Sequence, residues 1–135
     1  MKTKMNLHFA HVSHKLLKFH KELLQAQIAI VEKEDQKKYN PYELLNLSMN
    51  DPRFHWLKAF SDIIIEIDIA LENKTESDYD PIKLFSKISH LINTDQLNQS
   101  GFKKIVSVES SVLISLGNVR KAVHDLDLIL KSDSN

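Results

Sequence analysis

The chain has 135 residues, 42% of them hydrophobic, and its eighteen basic side chains balance eighteen acidic ones to a formal net charge of zero. That is enough apolar material for one self-sufficient domain, and too balanced a charge for any overall attraction to nucleic acid or an anionic membrane. No cysteine occurs, which excludes disulfides, thiol catalysis and thiolate metal sites.

Two glycines and three prolines offer too little punctuation for an all-β chain, so the predicted elements are helices. The opening stretch MKTKMNLHFAHVSHK meets His8 and His11 before any continuous apolar run and lacks the core of a signal peptide. A first helix is predicted from about Asn6 to Glu34, because Phe9, Val12, Leu16, Leu23 and Ile30 recur on one side at the helical period. KEDQKKYN is a polar connection, and PYELLNLSM a short helix. A third helix is predicted from Pro52 to about Asn73, apolar around most of its circumference with a polar strip at His55, Lys58, Asp62 and Glu66. It is expected to be the central one. Its run IIIEIDIAL is cut by Glu66 and Asp68, short of the roughly 18 uninterrupted apolar residues of a membrane span. A soluble, cytoplasmic protein is expected.

ENKTESDYD reads as a loop, Pro81 to Ile92 as a helix with Leu84, Phe85, Ile88, Leu91 and Ile92 inward, and NTDQLNQSG as another loop. From Phe102 to Lys131 the apolar period persists. A break is expected at Glu109 to Ser111, whose side chains compete with helical hydrogen bonds, and the helix resumes through Gly117. Three of the starts share one device. YNPYELL, NDPRFHWL and YDPIKLF each place Asn or Asp before Pro, so that the Asx side chain caps an orphan N–H and Pro takes the first helical position. The expected fold is all-α: one domain over 1–135, a helical bundle of four main helices plus one or two short ones.

Several polar residues fall on apolar arcs. At about 100° per residue Asp68 lies beside Leu57, Ile64 and Leu71, at the margin of the buried side. A carboxylate there needs a partner. The chain has two arginines, Arg53 and Arg120, and Arg120 falls inside the apolar arc of the last helix. A pairing of Asp68 with Arg120, or with His124 one turn further, is therefore expected across the bundle, as a register-fixing ion pair or as a polar pocket. On the first helix Ser13, His20 and Gln27 are spaced by sevens along a buried face, as in a core network, an interface seam or a cleft lining. The candidate buried polar or ligand-binding residues are thus His20, Gln27, Asp68, Arg120 and His124.

His8, His11 and His14 resemble metal-ligand spacing, but steps of three rotate by about 300° and spiral apart, which reads as a solvated face. There is no HExxH, glycine-rich phosphate loop or nucleophile elbow. No metal, cofactor or catalytic residue is expected.

LLNLSMNDPRFHWLKAFSDIIIEID, together with GFKKIVSVESSVLISLGNVRKAV, resembles a family of small bacterial proteins with the pattern LL-x-L-x-x-x-DP-x-F-x-WL-x-x-x-S-x-x-I-x-x-ID and a terminal VR-x-x-V/L. The matching positions are Leu44, Leu45, Leu47, Asp51, Pro52, Phe54, Trp56, Leu57, Ser61, Ile64, Ile67 and Asp68, then Val119 and Arg120. Where that family often has Ala-His-Gly-Ala before the VR, this chain has Ser115 to Asn118, SLGN. The resemblance covers most of the chain and implies an all-helical bundle.

The expected function is a non-enzymatic protein-interaction module with a protein partner or self-association into homodimers. Phe9, Phe19 and Phe54 are read as surplus apolar surface outside a single core. The alternative is a small-ligand or metal-binding bundle using His20, Gln27, Asp68 and Arg120.

Overall fold

The computed structural model describes residues 2–72 and 79–133, and the described residues form helices and short connections with no strand. Most of the predicted ENKTESDYD loop lies outside the described residues. The elements are α1 (Lys2–Asp35), α2 (Pro41–Asn50), a 3₁₀ turn (Pro52–Leu57), α3 (Lys58–Glu72), α4 (Pro81–Leu91), α5 (Thr94–Asn98), α6 (Phe102–Val108) and α7 (Val112–Asp133). None of the described helices is long and apolar enough to cross a membrane.

All three Asx-Pro starts form as the sequence dictates. Asn40 accepts from the Glu43 backbone N–H at 2.8 Å while the Glu43 carboxylate accepts from the Asn40 N–H at 3.0 Å, a reciprocal capping box. Asp51 accepts from the Arg53 N–H at 2.9 Å, and Asp80 from those of Ile82 and Lys83 at 3.0 and 3.2 Å. The helix predicted from Pro52 is divided, however. Its first six residues wind as 3₁₀, which eclipses Phe54 over Leu57 and buries both, before the α phase begins at Lys58. The break at Glu109 to Ser111 is present, with Glu109 extended at φ −145° and ψ 79°. NTDQLNQSG is not all loop. Asn93 accepts from the Asp95 N–H at 2.8 Å and Leu97 is buried, which together hold the single turn of α5.

On α1 the buried Met5, Phe9, Val12, Leu16, Phe19, Leu23, Ala26 and Ile30 alternate in steps of four and three, a heptad stripe, with Val31 buried beside its end. On α7 Val112, Leu116, Val119, Val123, Leu126 and Leu130 repeat the spacing. The α1–α7 contact is the most extensive in the molecule, the α1–α3 contact is next, and α4 packs on both α3 and α7. The hub is therefore α1, not the segment from Pro52 as expected. That segment looked central because it is apolar on several sides, yet Ile65 and Ile69 on its outer side are 55% and 60% exposed. Phe9, Phe19 and Phe54 are not surplus surface either. Each is buried, and Phe19 packs edge-on between Phe60 and Phe102 at centroid distances of 5.7 and 5.9 Å.

The expected buried pair of Asp68 with Arg120 does not form, and neither residue is buried. The reason lies in α1. Its Ser13 bonds to Asp68 on α3, whereas its Glu22 accepts from Ser115 on α7 at 2.6 Å. Residues spaced by nine are about 180° apart on a helix, so α3 and α7 take opposite flanks of α1 and their polar groups stay apart.

Candidate functional site

Ser13, His20 and Gln27 form one line along α1; Ser13 and Gln27 bond to the segment from Trp56 to Asp68, and His20 lines a cleft with it. Gln27 is buried and its Oε1 accepts from the Trp56 indole N–H at 3.3 Å. Ser13, also buried, donates from Oγ to Asp68 Oδ1 at 3.0 Å. As α1 descends from Gln27 to Ser13, the opposing segment ascends from Trp56 to Asp68, so the two run antiparallel with a polar seam at the edge of their contact. A polar line in register with its partners is costly to misalign, and it fixes how far α3 slides along α1.

Trp56 is held on three sides. Besides Gln27, its ring stands edge-on to Phe60 at 6.2 Å, and the backbone of Gly101 lies so close that a Cβ there would overlap the indole nitrogen. That glycine is required by proximity, since its φ of −73° is open to any residue.

Between these two bonds, where His20 replaces a paired residue, the seam widens into a cleft of about 380 Å³ shared by α1, α2, the 3₁₀ turn and α3. Leu24, Phe54 and Leu57 make its floor, and Met49 of α2 its lip. His20, His55, Lys58, Ser48 and Ser61 supply its polar atoms, and no carboxylate among the described residues lines it. The Ser48 hydroxyl donates to the Leu45 carbonyl at 2.8 Å and the Ser61 hydroxyl to the Lys58 carbonyl at 3.0 Å. Both serines are thus left as acceptors, and neither hydrogen is offered to an imidazole. Lys58 Nζ meets Asp62 at 2.9 Å on the outer surface. His20 is half-buried and makes no side-chain hydrogen bond among the described residues. Burial pushes its imidazole below the ordinary 6.5.

The remaining candidates do other work. Asp68 is exposed and answers the question of its place on an apolar margin by accepting from Ser13. Arg120 is exposed, and its Nη2 donates to the Ile92 carbonyl at 2.9 Å and to Thr94 Oγ1 at 3.1 Å. Ile92 follows the last residue of α4, so the guanidinium satisfies a terminal helix carbonyl and favours the negative end of that helix. His124 is exposed and meets neither Asp68 nor Arg120. The proposed set of His20, Gln27, Asp68 and Arg120 is therefore not gathered into one pocket. Among the described residues no group of three or more His, Asp or Glu could hold a metal ion, and His11 and His14 face outward.

Sequence reasoning weighed Arg53 only as a count. It is the better-paired arginine. Its guanidinium meets Asp51 through Nε and Nη2 at 3.0 and 2.7 Å, Asp35 through Nη1 and Nη2 at 3.0 and 3.1 Å, and Glu34 at 3.3 Å. Glu34 also pairs with Lys104, and Asp35 accepts from the Tyr39 hydroxyl at 2.7 Å. The cluster fastens the end of α1 to the start of the 3₁₀ turn and to α6. Arg53 depresses the carboxyls of Asp35 and Asp51, holding Asp51 at about 2, and Glu34 is depressed first by Lys104 and then by Arg53. The signal was the Asp51-Pro52-Arg53 triplet, in which a cap carboxylate faces an arginine two residues on.

No protein-family model, curated protein or solved structure matches the chain.

Proposed function

We propose that the protein is a non-enzymatic interaction module that pairs with a second copy of itself through the apolar rim of the His20 cleft. One observation carries this reading. Leu17, Leu45, Met49 and Ile65 are 54%, 58%, 69% and 55% exposed, and each is either a cleft residue or one helical turn from one. Apolar side chains gathered around one concavity mark an interaction surface more strongly than the same number scattered. Zero net charge leaves two copies without mutual repulsion, and the Lys58–Asp62 pair gives each rim both signs. A two-fold pairing uses the same patch on both subunits.

Sedimentation equilibrium tests the reading. It expects a mass of about twice the 15.6 kDa of the chain, returning to 15.6 kDa in Ile65→Glu but not in Ile114→Glu, whose side chain is exposed on α7. A wild-type mass of 15.6 kDa throughout, or equal effects of the two variants, rules it out.

The same reading takes α1, α3, α4 and α7 as a four-helix bundle, because α1 and α4 each pack on α3 and α7. It assigns the chain to the small bacterial cytoplasmic proteins whose motif it resembles. Trp56, Ser61 and Asp68 of that motif lie on the α3 side of the seam, which makes the motif a record of how two helices register.

A further inference from the structure

We infer that the His20 cleft binds a small apolar carboxylate, with its tail on Leu24, Phe54 and Leu57 beneath Met49 and its carboxylate against the His20 imidazole. The volume of about 380 Å³ is that of a small-molecule site, mostly apolar with a few convergent polar groups. Chemistry selects the sign of the ligand. The cleft holds two imidazoles and the Asp62-paired ammonium of Lys58, and no acidic side chain among the described residues lines it, so a group that accepts from an imidazole N–H is favoured over a cation. Shape selects the rest, since the side chains of Leu24, Phe54 and Leu57 in the lining carry no hydrogen-bonding atom, so a polar tail laid there would lose water without a partner. Met49, 69% exposed on α2, has the flexible thioether chain that can fold over a bound tail.

His20 is the anchor because the other bases are engaged or open. Lys58 is neutralised by Asp62, and His55 is exposed. No buried side-chain nitrogen or oxygen among the described residues lacks a partner, so the unbonded ring nitrogens of His20, a lining residue of the cleft, are within reach of solvent. The groups facing it are few. From α2 come Ser48 and Met49, without charge; from the 3₁₀ turn His55; from α3 Ser61 and the paired Lys58. Asp68, further along α3, is occupied by Ser13. Burial disfavours the charged form of His20, and an arriving carboxylate offsets the cost of charging it. Binding therefore takes up a proton and tightens as pH falls. A neutral amphiphile of the same length lacks this dependence.

Calorimetric titration with octanoate and with octanol tests the site. Octanoate is expected to bind one-to-one and to gain about tenfold in affinity from about pH 8 to about pH 6, a window in which its own carboxylate stays ionised. Octanol binds weakly without a pH trend. His20→Ala and His20→Asn, checked for native circular dichroism, lose the pH dependence and about tenfold of the affinity at the lower pH, while Met49→Ala weakens both ligands. In wild-type protein the His20 ring protons titrate at higher pH when octanoate is saturating, a readout independent of any variant. Equal binding of octanol, an unshifted His20 titration, or no saturable binding overturns the inference. His20→Asn keeps the wild-type sedimentation mass while losing the pH-dependent affinity, so loss of the ligand site and loss of pairing are distinguishable.

Discussion

The indole nitrogen of Trp56 donates to Gln27 Oε1 at 3.3 Å, tying the C-terminal half of α1 to the last turn before α3. The acceptor end of this bond is shielded, Gln27 being 5% exposed, and Trp56 is half-buried. Gln27→Leu keeps the volume and removes the acceptor, so the Trp56 N–H is left without a partner at a cost of about 1–3 kcal/mol. Urea denaturation should show that loss. Wild-type stability in Gln27→Leu would mean the bond contributes nothing.

The two glycines should respond in opposite directions to the same change. Gly101→Ala drives a methyl into the Trp56 ring, which Gln27 and Phe60 hold in place, and costs about 1–3 kcal/mol with a shift in tryptophan emission. Gly117 lies inside α7, where an added Cβ meets nothing within 4 Å. Gly117→Ala therefore stabilises by up to about 1 kcal/mol. Thermal melts of the two variants read both signs.

Acid should weaken the clamp around Arg53. Asp51, Glu34 and Asp35 have carboxyls held below their ordinary values, chiefly by hydrogen bonds to Arg53 and, for Glu34, first by Lys104. A depressed folded-state value means that the stabilisation is complete above the unfolded value and lost as pH falls through the folded one. For Asp51 that window runs from 3.8 down to about 2. Arg53→Met lets the three carboxyls rise, so it lowers stability at neutral pH and flattens the acid limb. Urea midpoints from about pH 6 to about pH 2 show two converging curves if this is right, and parallel curves if it is not.

What the sequence made legible was local. Three Asx-Pro caps, the break at Glu109, and the heptad line of Ser13, His20 and Gln27 each depend on neighbours within a few turns. The structure places all three members of that line against the Trp56 to Asp68 segment. The partner of Asp68 was not legible, because helical phase gives a direction around one axis and says nothing of which helix lies there. Arg120 was chosen for its chemistry, and α1 stands between the two. The cleft was hidden for a related reason. It needs α2 to carry Met49 over His20, and that depends on how a capping box at Asn40 aims a short helix. NTDQLNQSG was misread although Asn93 stands in the capping position, since one turn of helix is below what periodicity can register.

The antiparallel register of α1 against α3 underlies the seam, the cleft and the function proposed for them, and a pair of double-mutant cycles tests it most directly. Ser13→Ala with Asp68→Ala should show a coupling of about 0.5–1.5 kcal/mol, because the two side chains share a 3.0 Å hydrogen bond. Asp68→Asn with Arg120→Met should be additive within about 0.5 kcal/mol. Additivity in the first cycle and coupling in the second would contradict the account.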